Sequence, residues 1–200
     1  LYIHGGAWLI GHKKMAQMEP LFYVLQRGYA LVSIDYTLSD RAEFPTQIHE
    51  VKTAVRWLRR HAAAYNLQAD HMAAWGDSAG GHLAALAGTS GAVKQLEDKA
   101  LGSPEQSSQI QAVVDWFGPT DFSRIQQQLQ EAGVPAPPEG VCTLEDLFIG
   151  ADLAKEPEKA KPANPENYIS ASSPPILIQH GNKDTLVPYK QSVSFAAKLE

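Results

Sequence analysis

The sequence predicts an α/β fold in which a mostly parallel, doubly wound sheet is flanked by helices. Short apolar runs alternate along the chain with stretches whose apolar residues recur every three or four positions. Such alternation is typical of parallel strands joined by helices that return over the sheet. Glycine-rich turns follow two of the apolar runs, at "HGG" and at "GDSAGG". We therefore expect one sheet with chemically interesting loops at the carboxyl ends of its strands.

Five apolar runs are predicted to be strands. The clearest is "YALVSIDY", in which valine and isoleucine cluster without polar alternation, as in a strand that is buried on both faces. The predicted strands are residues 1–3, 29–36, 71–75, 111–118 and 174–181.

The strongest helical pattern begins at Pro45. Its apolar residues lie three or four positions apart, so we expect one stripe to face the sheet and the arginines to face water. Glycines supply stop signals for two of the other helices. These further helices are predicted over residues 15–26, 78–87 and 189–200.

The periodic pattern degrades between Pro119 and Pro174 into glutamine-rich, proline-rich and Lys/Glu-rich pieces. We interpret residues 119–170 as an irregular insertion in a single domain that spans residues 1–200. A chain of 200 residues that is 44% apolar is long enough to bury a substantial core.

Composition excludes several classes of partner. A net charge of −5 offers no basic surface for nucleic acid or an anionic membrane. No apolar run approaches the roughly 20 residues that span a bilayer. Cys142 is the single cysteine, which we interpret as a bystander thiol, and no Cys/His spacing suggests a metal site. The chain begins at Leu1 without a methionine, so neither localisation nor oligomeric state is predicted.

Ser78, in "WGDSAGGHLAAL", lies where a predicted strand ends and a predicted helix begins. Gly76 and Gly80 flank it at two residues on either side, as expected for a tight turn in which a side chain at either position would clash. That turn lifts the serine hydroxyl clear of the sheet. To act as a nucleophile, the hydroxyl needs a base for its proton and donors for the charge that forms on an attacked carbonyl.

Two groups of backbone amides are candidate donors for that charge. The helix that follows Ser78 directs unpaired N–H groups, Ala79 foremost, and the positive end of its dipole toward the hydroxyl. Gly5 and Gly6 in "HGGAW" allow the backbone to turn further N–H groups outward at the end of the first strand. Trp8, beside this turn, is expected to form a wall of the substrate pocket.

Five segments resemble, in the same order, the α/β-hydrolase fold. They are "YIHGGAW", "FPTQIHEVKTAVRWLRRHAAAYNL", "WGDSAGGHLAAL", "DWFGPTDF" and "PPILIQHGNKDTLVPYKQS". The sequence is most similar to the esterase branch near hormone-sensitive-lipase-like carboxylesterases and bacterial feruloyl and acetyl-xylan esterase-like proteins. The resemblance covers the whole chain and is weakest over residues 119–170. It implies this fold, incomplete at both ends, and cleavage of a small-molecule or carbohydrate ester without a cofactor.

The resemblance also implies roles for individual residues. Ser78 corresponds to the nucleophile, and Ala79 together with the Gly5/Gly6 turn corresponds to the oxyanion hole. Ala7 stands where many relatives carry a third glycine, so the choice among the amides of this turn stays open. Asp184, in "HGNKDTLVP", corresponds to the acid that orients the catalytic histidine.

The histidine of such a triad should follow the acid in the chain. We expect His4 to brace the "HGG" turn, His82 to point its ring into the protein, and His180 to be a hydrogen-bonded framework residue. None of the seven histidines has the position of the base, so the catalytic histidine is expected beyond Glu200 in a longer polypeptide. Residues 1–200 alone should then be nearly inactive.

Alternatives remain for the acid and for the function. Asp121, in "GPTDF", is the rival acid, and Asp77 is expected to be a hydrogen-bonding brace beside the serine. The chain could belong to a non-catalytic hydrolase-fold protein that binds an ester or a sugar, against which the intact Ser78 and Asp184 argue. A peptidase of the same fold is a third reading, which a comparison of ester and amide substrates separates.

Overall fold

Five strands form one parallel sheet in a computed structural model that describes residues 1–138 and 140–200. The strands are β1 (Tyr2–Ile3), β2 (Ser33–Ile34), β3 (Ala73–Asp77), β4 (Ala112–Trp116) and β5 (Ile176–Gln179). Their order across the sheet is β2-β1-β3-β4-β5. The chain places β2 on one side of β1 and then crosses to the other side for β3. This reversal creates a switch point between β1 and β3, where open parallel sheets bind ligands. The predicted fold class is confirmed.

The strand β2 is much shorter than the predicted run of residues 29–36. It pairs with β1, which itself has two residues, through Tyr2 opposite Ser33 and Ile3 opposite Ile34. A β-strand extends only as far as a neighbouring strand exchanges hydrogen bonds with it, so the short β1 limits β2.

The helices of the structure agree in position with most of the predictions. They are α1 (Thr46–Arg60), α2 (Ala79–Thr89), α3 (Phe122–Glu131), α4 (Leu144–Ile149) and α5 (Lys190–Leu199). The helix predicted over residues 15–26 is instead a 3-10 helix, Ala16–Arg27. It contains Pro20, which has no N–H to donate, and it ends at Gly28 with φ 82°.

The apolar stripe of α1 faces the core as predicted. Its buried members are Ile48, Val51, Val55 and Leu58. The expectation that the arginines face water is wrong for Arg56, whose side chain is fully buried. Arg56 forms an ion pair with Glu97 and donates to the carbonyl oxygens of Asp98 and Gly102. Buried guanidinium groups need such partners, which come from a segment that the sequence does not place beside α1.

The segment between β4 and β5 is more regular than the irregular insertion that we predicted. It contains α3, α4 and the 3-10 helices Pro157–Ala163 and Pro165–Tyr168. Helix α4 begins with a capping box in which the Thr143 hydroxyl accepts from the Asp146 N–H and the Asp146 carboxylate accepts from the Thr143 N–H. The Thr-x-x-Asp pattern is a sequence signal for the start of this helix. The prediction missed it because the surrounding composition indicated an irregular segment.

Helix α2 is the element that positions the candidate site. All of its residues are buried, from Ala79 to Thr89. It consists largely of alanine and glycine, so its backbone can lie close to β3 and β4. A helix that is apolar on every side is stable only in such a buried position.

Candidate active site

Ser78 joins β3 to α2 in a strained turn. Its backbone angles are φ 52° and ψ −119°, a region that residues with a Cβ rarely adopt. Backbone contacts hold this conformation, because the Ser78 N–H donates to the carbonyl of Trp116 at 2.8 Å and the Ser78 carbonyl accepts from the N–H of His82 at 3.0 Å. The residue is half-buried. The tight turn predicted from the spacing of glycine and serine is therefore present.

The two flanking glycines are required by close contact between backbones. A Cβ on Gly76 would overlap the backbone of Gly80, and a Cβ on Gly80 would overlap the carbonyl oxygen of Ile3. Alanine at either position would force β1, β3 and α2 apart. This is the clash that the sequence pattern predicts.

The glycine loop, residues 4–8, leaves β1 beside the turn at Ser78. In the sheet Ile3 lies opposite Gly76, so the two loops emerge from neighbouring strands at the switch point. Gly6, Ala7 and Trp8 all have positive φ angles, of 112°, 53° and 57°. No described residue accepts a hydrogen bond from the N–H of Gly6 or Ala7. These amides are available to a ligand.

The amide of Gly5 has a partner within the protein. It donates to Asp77 Oδ1 at 3.1 Å, and the hydroxyl of Tyr2 donates to the same oxygen at 2.6 Å. Asp77 is thus the hydrogen-bonding brace that we predicted, and it fixes the glycine loop against β3. The contact corrects the expectation that the Gly5 N–H is a free oxyanion donor.

The amino-terminal end of α2 supplies a second set of amides. The helix begins at Ala79, so the Ala79 N–H has no intrahelical partner. The positive end of the helix dipole lies at the same place. Unpaired amides are therefore supplied both by the glycine loop and by the amino-terminal end of α2.

Trp8 occupies a different environment from the pocket wall that we expected. Its side chain is 3% exposed and belongs to the hydrophobic core. The ring stacks on Phe148 with 4.4 Å between centroids and meets Phe122 edge-on. The substrate-binding role predicted for Trp8 is wrong, because the left-handed backbone of the glycine loop turns this side chain inward.

His82 points into the protein as predicted. Its ring is fully buried, with Nδ1 3.2 Å from Trp8 Nε1 and Nε2 2.7 Å from the carbonyl oxygen of Ala163. Burial lowers the pKa of His82 to about 4. The imidazole is therefore neutral near pH 7 and is committed to framework contacts.

Asp184 lies in the loop between β5 and α5. Its Oδ1 accepts hydrogen bonds from the N–H groups of Leu186 and Val187 at 2.8 and 2.9 Å. This local turn holds the carboxylate in one orientation while its side chain stays 21% exposed. Asp184 Oδ2 is 3.4 Å from His180 Nε2. A carboxylate held in this way could orient an imidazole.

Asp121, the rival acid, is occupied in capping α3. Its Oδ1 accepts from the N–H of Ser123 and from Asn164 Nδ2, both at 3.0 Å, and its Oδ2 pairs with Arg124. These contacts leave it little capacity to hold a histidine. The geometry favours Asp184.

Two further histidines, His180 and His4, have contacts within the framework of the protein. His180 contacts Ser192 Oγ through Nδ1 and the carbonyl oxygen of Val187 through Nε2, at 2.6 and 2.9 Å, which confirms a framework role. His4 is buried, contacts the carbonyl oxygen of Gly5 at 2.7 Å and stacks on Tyr36, so it braces the glycine loop. Across residues 1–138 and 140–200, no histidine side chain is hydrogen-bonded to Ser78.

Asp115 is a residue of the site region that the sequence reasoning missed. Its carboxyl is fully buried on β4, behind the first turn of α2, where Oδ1 accepts from the Gly118 N–H at 2.8 Å. A Cβ on Gly81 would overlap this oxygen. Burial raises the pKa of Asp115 to about 7. The sequence feature that could have indicated Asp115 is that it is the one charged residue in the predicted strand "QAVVDWFG".

The described part of the chain contains no group of three or more histidine, cysteine or carboxylate residues that could hold a metal ion. None of its helices combines the length and the apolar character that crossing a bilayer requires.

Comparison with known proteins identifies relatives along the whole chain. The family model described as BD-FAE matches residues 1–199. Esterase LipQ of Mycobacterium tuberculosis is 32% identical over 201 residues, which is 100% of this chain and 45% of LipQ. The chain spans less than half the length of LipQ and of similar curated relatives.

Solved structures show the same similarity. A truncated form of a carbohydrate esterase from gut microbiota is 35% identical, with a TM-score of 0.86 over 98% of this chain and 70% of that one. Esterase 2 of Thermogutta terrifontis, phosphoramylated by tabun, is 28% identical, with a TM-score of 0.76 over 99% of this chain and 65% of that one. These similarities support the α/β-hydrolase fold of the chain.

Proposed function

The chain belongs to the BD-FAE family, and from this premise we propose that the protein is a serine esterase that forms an acyl-enzyme on Ser78. The observation that carries the proposal is the strained backbone of Ser78 at the switch point, with a φ of 52°. Such a turn costs stability and is kept where it presents a nucleophile. The names of the relatives, which are esterases, support the same activity.

In the proposed reaction the Ser78 oxygen attacks the carbonyl carbon of the ester while its proton passes to a base. The N–H groups of Ala79 and Gly6 hold the negative oxygen of the tetrahedral intermediate. Each such donor typically lowers the barrier by about 3 kcal/mol. The intermediate collapses, the C–O bond to the alcohol breaks, and the alkoxide takes the proton from the base. Water then repeats the sequence on the acyl-enzyme and regenerates the serine.

Asp184 is assigned to orient the base, which we place on a histidine outside residues 1–200. This assignment is supported by the hydrogen bonds of the histidine side chains within the described residues, none of which reaches Ser78. The carboxylate at Asp184 holds a histidine tautomer in which Nε2 is free to accept the serine proton.

We assign esters of carbohydrates as the substrate class. The similarity to a carbohydrate esterase supports this choice. Acyl and alcohol preferences are set by the walls of the pocket. Hydrolysis of acetylated or feruloylated xylo-oligosaccharides at a higher kcat/KM than the corresponding aryl esters tests the assignment.

A second candidate function is the binding of an ester or a sugar without turnover. It is favoured by one observation, that no histidine side chain of the described residues is hydrogen-bonded to Ser78. The strained turn and the free amides beside it favour the enzyme.

A fluorophosphonate probe on the full-length protein distinguishes the two functions. We expect one label per chain on the peptide that contains Ser78, and no label on Ser78→Ala. Ser90→Ala is the matched control, because Ser90 is a fully buried serine near the end of the same helix and its removal should leave labelling intact. Folded full-length protein that takes up no label would establish the binding protein instead.

A further inference from the structure

We propose that His82 is a positioning residue for the oxyanion hole, because its imidazole ties the glycine loop to α2 and to the 3-10 helix Pro157–Ala163. The inference rests on the proposed esterase function. It concerns a residue that does not touch the reacting atoms and acts through Trp8.

The contacts of His82 join three separate segments of the chain. His82 lies one helical turn after Ser78, and its N–H donates to the Ser78 carbonyl at 3.0 Å. Its Nδ1 is 3.2 Å from Trp8 Nε1, across 74 residues of sequence. Its Nε2 is 2.7 Å from the carbonyl oxygen of Ala163, across 81 residues. One side chain therefore connects the helix of the nucleophile, the glycine loop and the segment after β4.

The partners of the imidazole determine its tautomer. The indole N–H of Trp8 can only donate, so Nδ1 of His82 carries no proton and accepts. The carbonyl of Ala163 can only accept, so Nε2 carries the proton. Both ring nitrogens are satisfied, as a fully buried imidazole requires.

The glycine loop needs such an anchor because its backbone is strained. Ala7 and Trp8 have φ angles of 53° and 57°, a left-handed conformation that is strained for any residue with a Cβ. Trp8 is held through its side chain by His82 and Phe148 and through its carbonyl by the N–H of Ser39 at 2.9 Å. These contacts keep the neighbouring Gly6 N–H turned outward, unpaired by any described residue.

Loss of the bond between His82 and Trp8 should let the glycine loop relax toward an unstrained conformation. The Gly6 N–H would then leave the position that the oxyanion requires. Removal of an oxyanion donor costs about 100- to 1000-fold in kcat, and a displaced donor costs less. We expect His82→Phe, which keeps an aromatic ring but accepts no hydrogen bond, to lower kcat for an aryl acetate roughly 10- to 100-fold, with less than about a threefold change in KM.

A thionoester separates the positioning role from a general weakening of the fold. Its carbonyl oxygen is replaced by sulfur, which is a weak hydrogen-bond acceptor, so the oxyanion hole contributes little to its hydrolysis. We expect His82→Phe to slow the thionoester less than about threefold. A residue that merely fills the core would affect both substrates equally.

Two further variants define the contact that matters. His82→Asn places an amide oxygen near the position of Nδ1 and should recover most of the activity that His82→Phe loses. Trp8→Phe removes the indole donor and should reproduce the effect of His82→Phe. The double variant should be no slower than either single variant, because both remove one hydrogen bond.

The measurements are made on the full-length protein, with thermal unfolding as a check of folding. If His82→Phe does not fold, Trp8→Phe carries the same comparison of ester and thionoester. Equal losses on both substrates, or additive losses in the double variant, would overturn the inference and leave the esterase assignment intact. An absence of turnover that depends on Ser78 in the wild-type protein would overturn the proposed function, and this inference with it.

Discussion

Ser78, the proposed nucleophile, has a strained backbone conformation that costs stability. Its φ of 52° is available to glycine at no steric cost, yet a serine is present. The hydrogen bonds of its backbone to Trp116 and His82 hold the conformation in place. The strain is therefore local and can be removed by one substitution.

We predict that Ser78→Gly is more stable than Ser78→Ala by about 1 kcal/mol, although neither variant is labelled by a fluorophosphonate. Both lose the hydroxyl, but only alanine keeps the strained Cβ. Urea unfolding of the two proteins measures the difference. Equal stabilities, or a more stable Ser78→Ala, would show that the conformation carries no strain.

Sequence reasoning was most accurate for residues whose role depends on near neighbours. The clash that excludes a side chain at Gly76 involves Gly80, four residues away. The inward turn of Trp8 and the engagement of the Gly5 amide depend on His82 and Asp77, which lie more than seventy residues along the chain. No local pattern encodes those contacts.

At the level of elements, the loops that follow β4 and β5 present two carboxylates in different settings. Asp121 caps α3 and pairs with Arg124, whereas Asp184 is held by its own turn and remains partly exposed. Both residues are candidates for the acid from the sequence alone. The structure distinguishes them by the hydrogen bonds and ion pairs that already occupy Asp121.

We predict that Asp184→Asn lowers kcat about 10,000-fold, because an amide cannot hold the catalytic histidine in the required tautomer. The asparagine oxygen can still accept from the N–H groups of Leu186 and Val187, so the loop should keep its shape. Asp121→Asn is the matched control, since asparagine caps a helix as well as aspartate does. A large loss of kcat in Asp121→Asn and none in Asp184→Asn would exchange the two assignments.

For the whole molecule, two buried titratable groups act on stability in opposite directions over the same pH range. The pKa of Asp115 is raised from 3.8 to about 7, so the native state binds the extra proton between these values. Its contribution to stability is therefore lost as the pH rises from 4 to 7. The pKa of His82 is lowered from 6.5 to about 4, so its contribution is lost as the pH falls through that range.

We predict that the stability difference between the wild type and Asp115→Asn falls by on the order of 4 kcal/mol between pH 4 and pH 7. The asparagine side chain does not titrate. The variant should therefore lose stability on acidification, because His82 and the surface carboxylates take up protons more readily in the unfolded state. Chemical unfolding at several pH values gives the difference. The exposed Asp40→Asn is the control, and a difference for Asp115→Asn that is independent of pH would contradict the prediction.

We predict that residues 1–200 by themselves turn over an aryl acetate at a rate close to background, because the base is placed outside them. Added imidazole should restore part of the activity, and Ser78→Ala should abolish that part. Turnover by this chain without imidazole that matches the full-length protein and depends on Ser78 would show that one of its own histidines is the base.

The sequence by itself determined the alternation of strands and helices along the chain outside residues 119–170, and the turn at Ser78. These features depend on hydrophobic periodicity and on steric limits between residues that are close along the chain. Tertiary structure alone decided that Trp8 and Arg56 are buried, that the Gly5 amide is occupied and that His82 connects three segments. The physical reason is that burial and hydrogen-bond partners are set by which distant segments meet across the sheet, and a linear pattern does not specify that pairing.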